Sequence, residues 1–321
     1  MKQGMAILAV LGLAAGLAAA LGGCAPATPA PPDGTVQVMV SILPQKYFVE
    51  RVGGAHVRVT VMVGPGADPH TYEPKPEQLR ALSRSQVYFR IGLPFEAAWM
   101  DKFAAANPRM RIVDTSQGIE RMPMLAHHHE GEGAEEAGDE GLDPHIWLSP
   151  RLVKVQAQAI YQALADLDPA HRDEYRANLE AFLTDLDALD REIQDLLRDV
   201  PRRKFMVFHP SWGYFARDYG LEMVPIEVEG QEPSAAELAD LIREAREEGI
   251  TVVFAQPEFS TRSAEVIARE IGGRVVLVSP LAEDWLENLR RTAQALAEAL
   301  KETTEGKTTE TQRTQRREKN K

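Results

Sequence analysis

The chain has 321 residues, with 48 acidic against 36 basic side chains and a formal net charge of −12. Acidity on this scale argues against a nucleic-acid partner. The single cysteine excludes an internal disulfide, so any folded part must rest on its hydrophobic core.

In chain order, Lys2 precedes an apolar run from Met5 to Leu21 and then Leu21-Gly22-Gly23-Cys24. A basic start, an apolar stretch and small residues before a cleavage point predict a secretory leader over 1–23. Leu-x-Gly-Cys is also a bacterial lipobox, which makes Cys24 the lipidated first residue of the mature chain, anchored extracytoplasmically. The apolar run is only marginally long enough to serve as a transmembrane span instead. Residues 24–34, rich in proline, predict an extended tether.

From residue 35 onward, strand-like and helical patterns alternate. Strands are expected at Val36–Val40, Val57–Val63, Val87–Ile91 and Arg111–Val113, with helices around Gln45–Val52, Glu77–Ser83 and Phe95–Asn107. Ser149-Pro150 forms an N-cap and first-turn pair that starts another helix. Leu179, Phe182, Leu183, Leu186, Leu189, Ile193, Leu196 and Leu197 recur at helical spacing, predicting one amphipathic helix from about Ala170 to Arg198. Its length, roughly 40 Å at 1.5 Å per residue, suits a stiff spine. The scheme then repeats, with strands at Phe205–Phe208, Met223–Val228, Thr251–Ala255 and Val275–Val278 among helices near Tyr214, Ala235–Glu248, Ser263–Ile271 and Trp285–Leu300. Such alternation predicts two α/β lobes, 35–169 and 200–300, with mainly parallel sheets, joined by the helix at 170–199. The polar segment 301–321 has no apolar periodicity and is expected to be disordered.

Three histidines stand in proline-flanked turns: His70 in Ala67-Asp68-Pro69-His70, His145 in Asp143-Pro144-His145-Ile146-Trp147, and His209 in Phe208-His209-Pro210. His209 directly follows an expected strand and His70 lies in the loop after another. Ligands of open α/β sheets bind beyond the carboxyl ends of strands. Three neutral imidazoles meeting there make a first-row metal site, with zinc the leading candidate. Taken alone, a loop histidine is a solvated turn residue; the repeated context carries the argument. Residues 126–141 form an insertion with His127, His128 and His129, six carboxylates and no basic side chain. It reads either as a solvated acidic loop or as a weak metal collector beside the cleft.

These motifs, with Glu229-Gly230-Gln231-Glu232-Pro233-Ser234, Gln256-Pro257-Glu258-Phe259-Ser260 and Pro280-Leu281-Ala282, make Val36 to Leu300 resemble a known family. It is the metal-binding solute-binding lipoproteins of bacterial ABC importers, specifically the zinc-uptake branch. The resemblance implies two Rossmann-like lobes joined by a rigid backbone helix, with Zn2+ in the interlobe cleft on His70, His145 and His209. It further implies a monomer that hands zinc to an ABC permease in the cytoplasmic membrane. The manganese branches usually carry a carboxylate where His209 stands, and imidazole favours zinc; nickel, copper or cobalt can bind such a site in vitro.

The sequence departs from the family at the fourth ligand. Many members have Asp where Ser279 stands, and another option, Glu before the first histidine, is Pro69 here. Water is the preferred fourth ligand, with Glu283 or Asp284 the protein alternatives. A zinc hydrolase or hydratase would use a similar site, but there is no His-Glu-x-x-His helix, and Glu73 and Glu258 are the only nearby candidate bases. A non-enzymatic carrier is therefore expected. A metal-binding adhesin is the remaining alternative.

Overall fold

The computed structural model describes residues 34–125, 141–227 and 231–301. The leader, Cys24, the tether up to residue 33, His127–His129, residues 228–230 with the expected strand end at Val228, and residues 302–321 lie outside the described residues.

The first lobe alternates β1 (Val36–Val40), α1 (Leu43–Gly53), β2 (Val57–Val61), α2 (Pro76–Leu82), β3 (Val87–Arg90), α3 (Pro94–Ala106) and β4 (Arg111–Asp114). Its four strands pair in parallel in the order β2-β1-β3-β4. Because helices cover both faces, the inner strands are apolar without alternation: Val38, Met39 and Val40 are all fully buried. The helices α4 (Pro150–Leu167) and α5 (Arg172–Leu197) follow. The second lobe holds β5 (Lys204–Val207), α6 (Gly213–Tyr219), β6 (Glu222–Pro225), α7 (Ala235–Glu247), β7 (Val252–Ala255), α8 (Arg262–Glu270), β8 (Arg274–Leu277) and α9 (Trp285–Lys301). Its parallel order, β6-β5-β7-β8, repeats that of the first lobe.

The spine α5 has 26 residues, and its buried side chains, Tyr175, Leu179, Phe182, Leu186, Leu189, Ile193 and Leu197, form a single stripe. It starts two residues later than the periodicity suggests, because Pro169–His171 closes a separate 3-10 turn. The stripe packs on α1, α4 and α9. One hydrophobic cluster therefore runs from Val38 and Phe48 through Phe182 to Trp285 and Leu296, and a smaller one fills the second lobe around Val253 and Ile267. Shared core, together with the ion pairs Arg51–Asp185 and Arg290–Glu192, makes the linkage stiff.

Strand β6 ends at Pro225, short of the expected Val228. The following amides still bond toward β5, Ile226 N to Val207 O at 2.8 Å and Glu227 N to Phe208 O at 3.1 Å. The chain thus turns across the end of β5 and delivers Glu227 to the site. At the base of the histidine-rich insertion, Pro123 and Leu142 form an antiparallel bridge, and Met124 N donates to Gly141 O at 2.9 Å.

Candidate metal centre

All three histidines sit beyond carboxyl ends of the sheets or in the segment between β4 and α4. His70 lies in the loop after β2, where its backbone N–H donates to Asp68 Oδ1 at 2.8 Å and the Thr71 hydroxyl donates to Asp68 Oδ2 at 3.0 Å. This aspartate turn sets the loop conformation. His145 precedes a 3-10 turn, Ile146–Leu148, and Asp143 Oδ1 accepts both its backbone N–H (2.8 Å) and its Nδ1 proton (2.7 Å). His209 follows β5 at the switch point between β5 and β7. There Gln256, just past β7, receives the His209 N–H at 3.2 Å and donates its own amide to His209 O at 2.7 Å.

The structure brings the three imidazoles together: His209 Nε2 lies 3.2 Å from Nε2 of His70 and 3.2 Å from Nε2 of His145. Nitrogens bound to one tetrahedral zinc at 2.0 Å are about 3.3 Å apart. The tautomers sharpen this match. Glu227 Oε1 takes the Nδ1 proton of His209 at 2.7 Å, as Asp143 takes that of His145. Both Nε2 atoms therefore present lone pairs, and these face each other inside a site where His145 is 1% and His209 is 5% exposed. A hydrogen bond between those two nitrogens has no proton available. A cation satisfies both, and a carboxylate behind each imidazole orients it and raises its basicity.

Burial pushes the His70 imidazole down to about 3, helped by His145 and His209 and opposed by Asp68. His145 is driven well below its ordinary value, again by burial first and then by His209. Competition from protons at these two groups thus begins at lower pH than the roughly 6.5 of a free imidazole. Asp143 is raised to about 7 by burial, against the lowering effect of the His145 N–H.

Neither Glu283 nor Asp284 joins the converging atoms, which are those of His70, His145 and His209. Glu283 pairs with Lys46 and Asp284 with Arg291, at the exposed entry to α9. Ser279 is also engaged, its hydroxyl donating to Glu258 and accepting from the Leu281 N–H. Of the two tryptophans beside the histidines, Trp147 packs on His145 with ring centroids 5.0 Å apart, whereas Trp212 packs on Phe215.

Sequence reasoning missed Glu227 and gave no role to Gln256 and Phe259 within the Gln-Pro-Glu-Phe-Ser motif; the Phe259 ring lies 4.8 Å from that of His209. It missed Gly213 too: a Cβ there would stand 2.8 Å from Asp143 Oδ2, so glycine lets α6 approach the carboxylate that holds His145. Tyr214 then donates to Asp143 O at 2.9 Å and locks the first lobe's loop to the second lobe. Asp143 left a legible signal in the Asp-Pro-His motif, and Gln256 and Phe259 in the Gln-Pro-Glu-Phe-Ser motif.

A family model described as the periplasmic zinc-uptake complex component A matches residues 38–299. A protein of Chlamydia trachomatis is 30% identical over 262 residues, 81% of this chain and 90% of its own length. A crystal structure of ZnuA superposes with a TM-score of 0.77 at 52% identity, covering 83% of this chain and 99% of that one. A ZnuA deletion mutant with zinc bound gives a TM-score of 0.77 at 51% identity, over 84% of this chain and 99% of its own. With its two parallel-sheet lobes, stiff spine and interlobe imidazole cluster, the chain belongs to the ZnuA family of periplasmic zinc-uptake components.

Proposed function

We propose that this protein captures Zn2+ outside the cytoplasm and delivers it to the permease of an ABC importer, with His70, His145 and His209 holding the ion. The observation that carries the reading is the convergence of three Nε2 atoms, with that of His209 3.2 Å from both His145 Nε2 and His70 Nε2. Zinc is cargo in this scheme. Water takes the fourth position, because Glu283 and Asp284, the protein alternatives, pair with Lys46 and Arg291 instead.

The same geometry favours a carrier over a catalyst. Asp143 and Glu227, the carboxylates in contact with the imidazoles, accept protons from Nδ1 and stand behind the rings, where neither can activate a water on the ion. The shared core limits movement between lobes, so release comes from loop rearrangement or from the permease. The family link to ABC import and the zinc-bound relative support this reading. Lipidation at Cys24, a monomeric state and metal collection by His127–His129 belong to the same proposal.

Isothermal titration with zinc on His70→Ala, His145→Ala and His209→Ala tests the site. Each variant is expected to bind zinc at least tenfold more weakly, and unchanged affinity in all three would sink the assignment.

A further inference from the structure

A second cluster of metal-ligating side chains lies on the opposite edge of the first lobe. His56 closes the turn between α1 and β2, His171 closes the turn before α5, and Glu174 stands in the first turn of α5. One ligand atom from each lies within 4.8 Å of the others. His56 immediately precedes β2, whereas His70 follows its far end. The five-residue strand therefore separates this cluster from the cleft by about 15 Å or more.

The local chemistry is that of a built site. His171 Nδ1 is 2.6 Å from Asp168 Oδ2, an oxygen that also accepts from the Tyr175 hydroxyl at 2.8 Å. That carboxylate claims the Nδ1 proton, leaving the Nε2 lone pair of His171 free. His56 Nε2 is 2.7 Å from Glu174 Oε2, and its ring stacks on His171 with centroids 3.7 Å apart. Asn178 holds the His56 turn against α5 by donating to Val52 O at 3.1 Å. Two imidazoles, one carboxylate and a carboxylate behind one imidazole repeat the ligand logic of a zinc centre.

We infer that His56, His171 and Glu174 form a second, weaker site for a borderline divalent cation such as Zn2+ or Ni2+. On binding, His56 releases the Nε2 proton it shares with Glu174 and takes one from solvent on Nδ1, so the ring stays neutral while Nε2 and the freed carboxylate oxygen turn to the metal. The stacked rings must splay for both nitrogens to reach one ion. Glu174 is 65% exposed, so the site exchanges with bulk metal readily. Both effects put its affinity below that of the buried cleft. The ligand set, nitrogen-rich with one oxygen, selects against magnesium and calcium.

Anomalous diffraction at the zinc edge, from crystals of the full chain grown with ZnCl2, is the direct test. A peak bonded to His56, His171 and Glu174 is expected, and its absence from crystals whose cleft holds zinc would overturn the inference. In solution, the His56→Gln/His171→Gln double variant should titrate with one zinc equivalent fewer while cleft affinity stays within twofold. Asp168→Asn should weaken that equivalent by about 10–100-fold. An unchanged number of equivalents in the double variant, or loss of the tight cleft equivalent in its place, also overturns it. Should the double variant fail to fold by circular dichroism, the diffraction experiment on the unaltered protein decides.

Discussion

Glu227→Gln isolates the charge behind His209 from its geometry. The glutamine carbonyl can still accept the Nδ1 proton that Glu227 Oε1 now takes at 2.7 Å. Adding the width of the ring and a zinc bond to that contact puts the carboxylate about 7 Å from the ion. Coulomb's law for a divalent cation at that distance gives roughly 1 kcal/mol at the dielectric of water and roughly 5 kcal/mol at an effective value of 20. Losses at outer-shell carboxylates of metal sites run about 10–100-fold, or about 1.4–2.7 kcal/mol, within that bracket. The dissociation constant for zinc should therefore rise by about 10–100-fold in a competition titration against a chromophoric chelator at pH 7.5. Affinity within twofold of the unaltered protein would refute electrostatic coupling through the imidazole. A loss well beyond about 100-fold would instead mean that the ring had moved, and would refute the claim that geometry survives.

Trp147 donates its Nε1 proton to Pro280 O at 2.7 Å and receives the Trp285 Nε1 proton on its carbonyl at 2.8 Å. Trp147→Phe leaves Pro280 O without that partner in a buried site and should cost about 1–3 kcal/mol, read as a lowered urea midpoint. In the metal-free protein, unfolded histidines take up protons near pH 6.5 that His70, held down to about 3, and His145 refuse. Stability from these two groups is present above about 6.5 and is lost as pH falls through that window toward about 3. Asp143, raised to about 7, and Glu96, also raised by burial, act oppositely, while the lowered Asp114 and Asp168 act with the histidines; thermal melts should therefore drop on acidification, and acid-insensitive melting would contradict the burial argument. Removing zinc with a chelator should leave the far-ultraviolet dichroism unchanged while lowering the melting temperature, because the core is continuous without the ion. Chelator-sensitive turnover of generic esters would count against the carrier reading.

The proline-flanked turns of His70, His145 and His209 and the alternation of elements are legible in one dimension because both are local. Turn chemistry depends on neighbours in the chain, and a buried parallel strand such as Val36–Val40 appears as an apolar run. The spine is equally plain from Leu179 to Leu197, since a helix facing packed neighbours repeats its apolar stripe every three or four residues. Its start moved to Arg172 because a proline turn can precede or open a helix with almost the same residues.

The partners of those histidines are a different matter. Glu227 and Gln256 reach His209 from 18 and 47 residues away, and no spacing rule links strand ends that only the sheet order brings side by side. The same holds for Gly213 beneath Asp143, and for His56 against His171 at the far edge of the lobe. Sequence alone marked His70, His145 and His209 as candidate ligands standing in turns, because ligand chemistry and turn propensity belong to single residues and their neighbours. Tertiary structure decided which nitrogen each histidine presents, which carboxylates hold the opposite proton and which candidate ligands stand apart. Those facts depend on distances across folded elements, and a hydrogen bond or a coordination sphere exists only within a few ångströms.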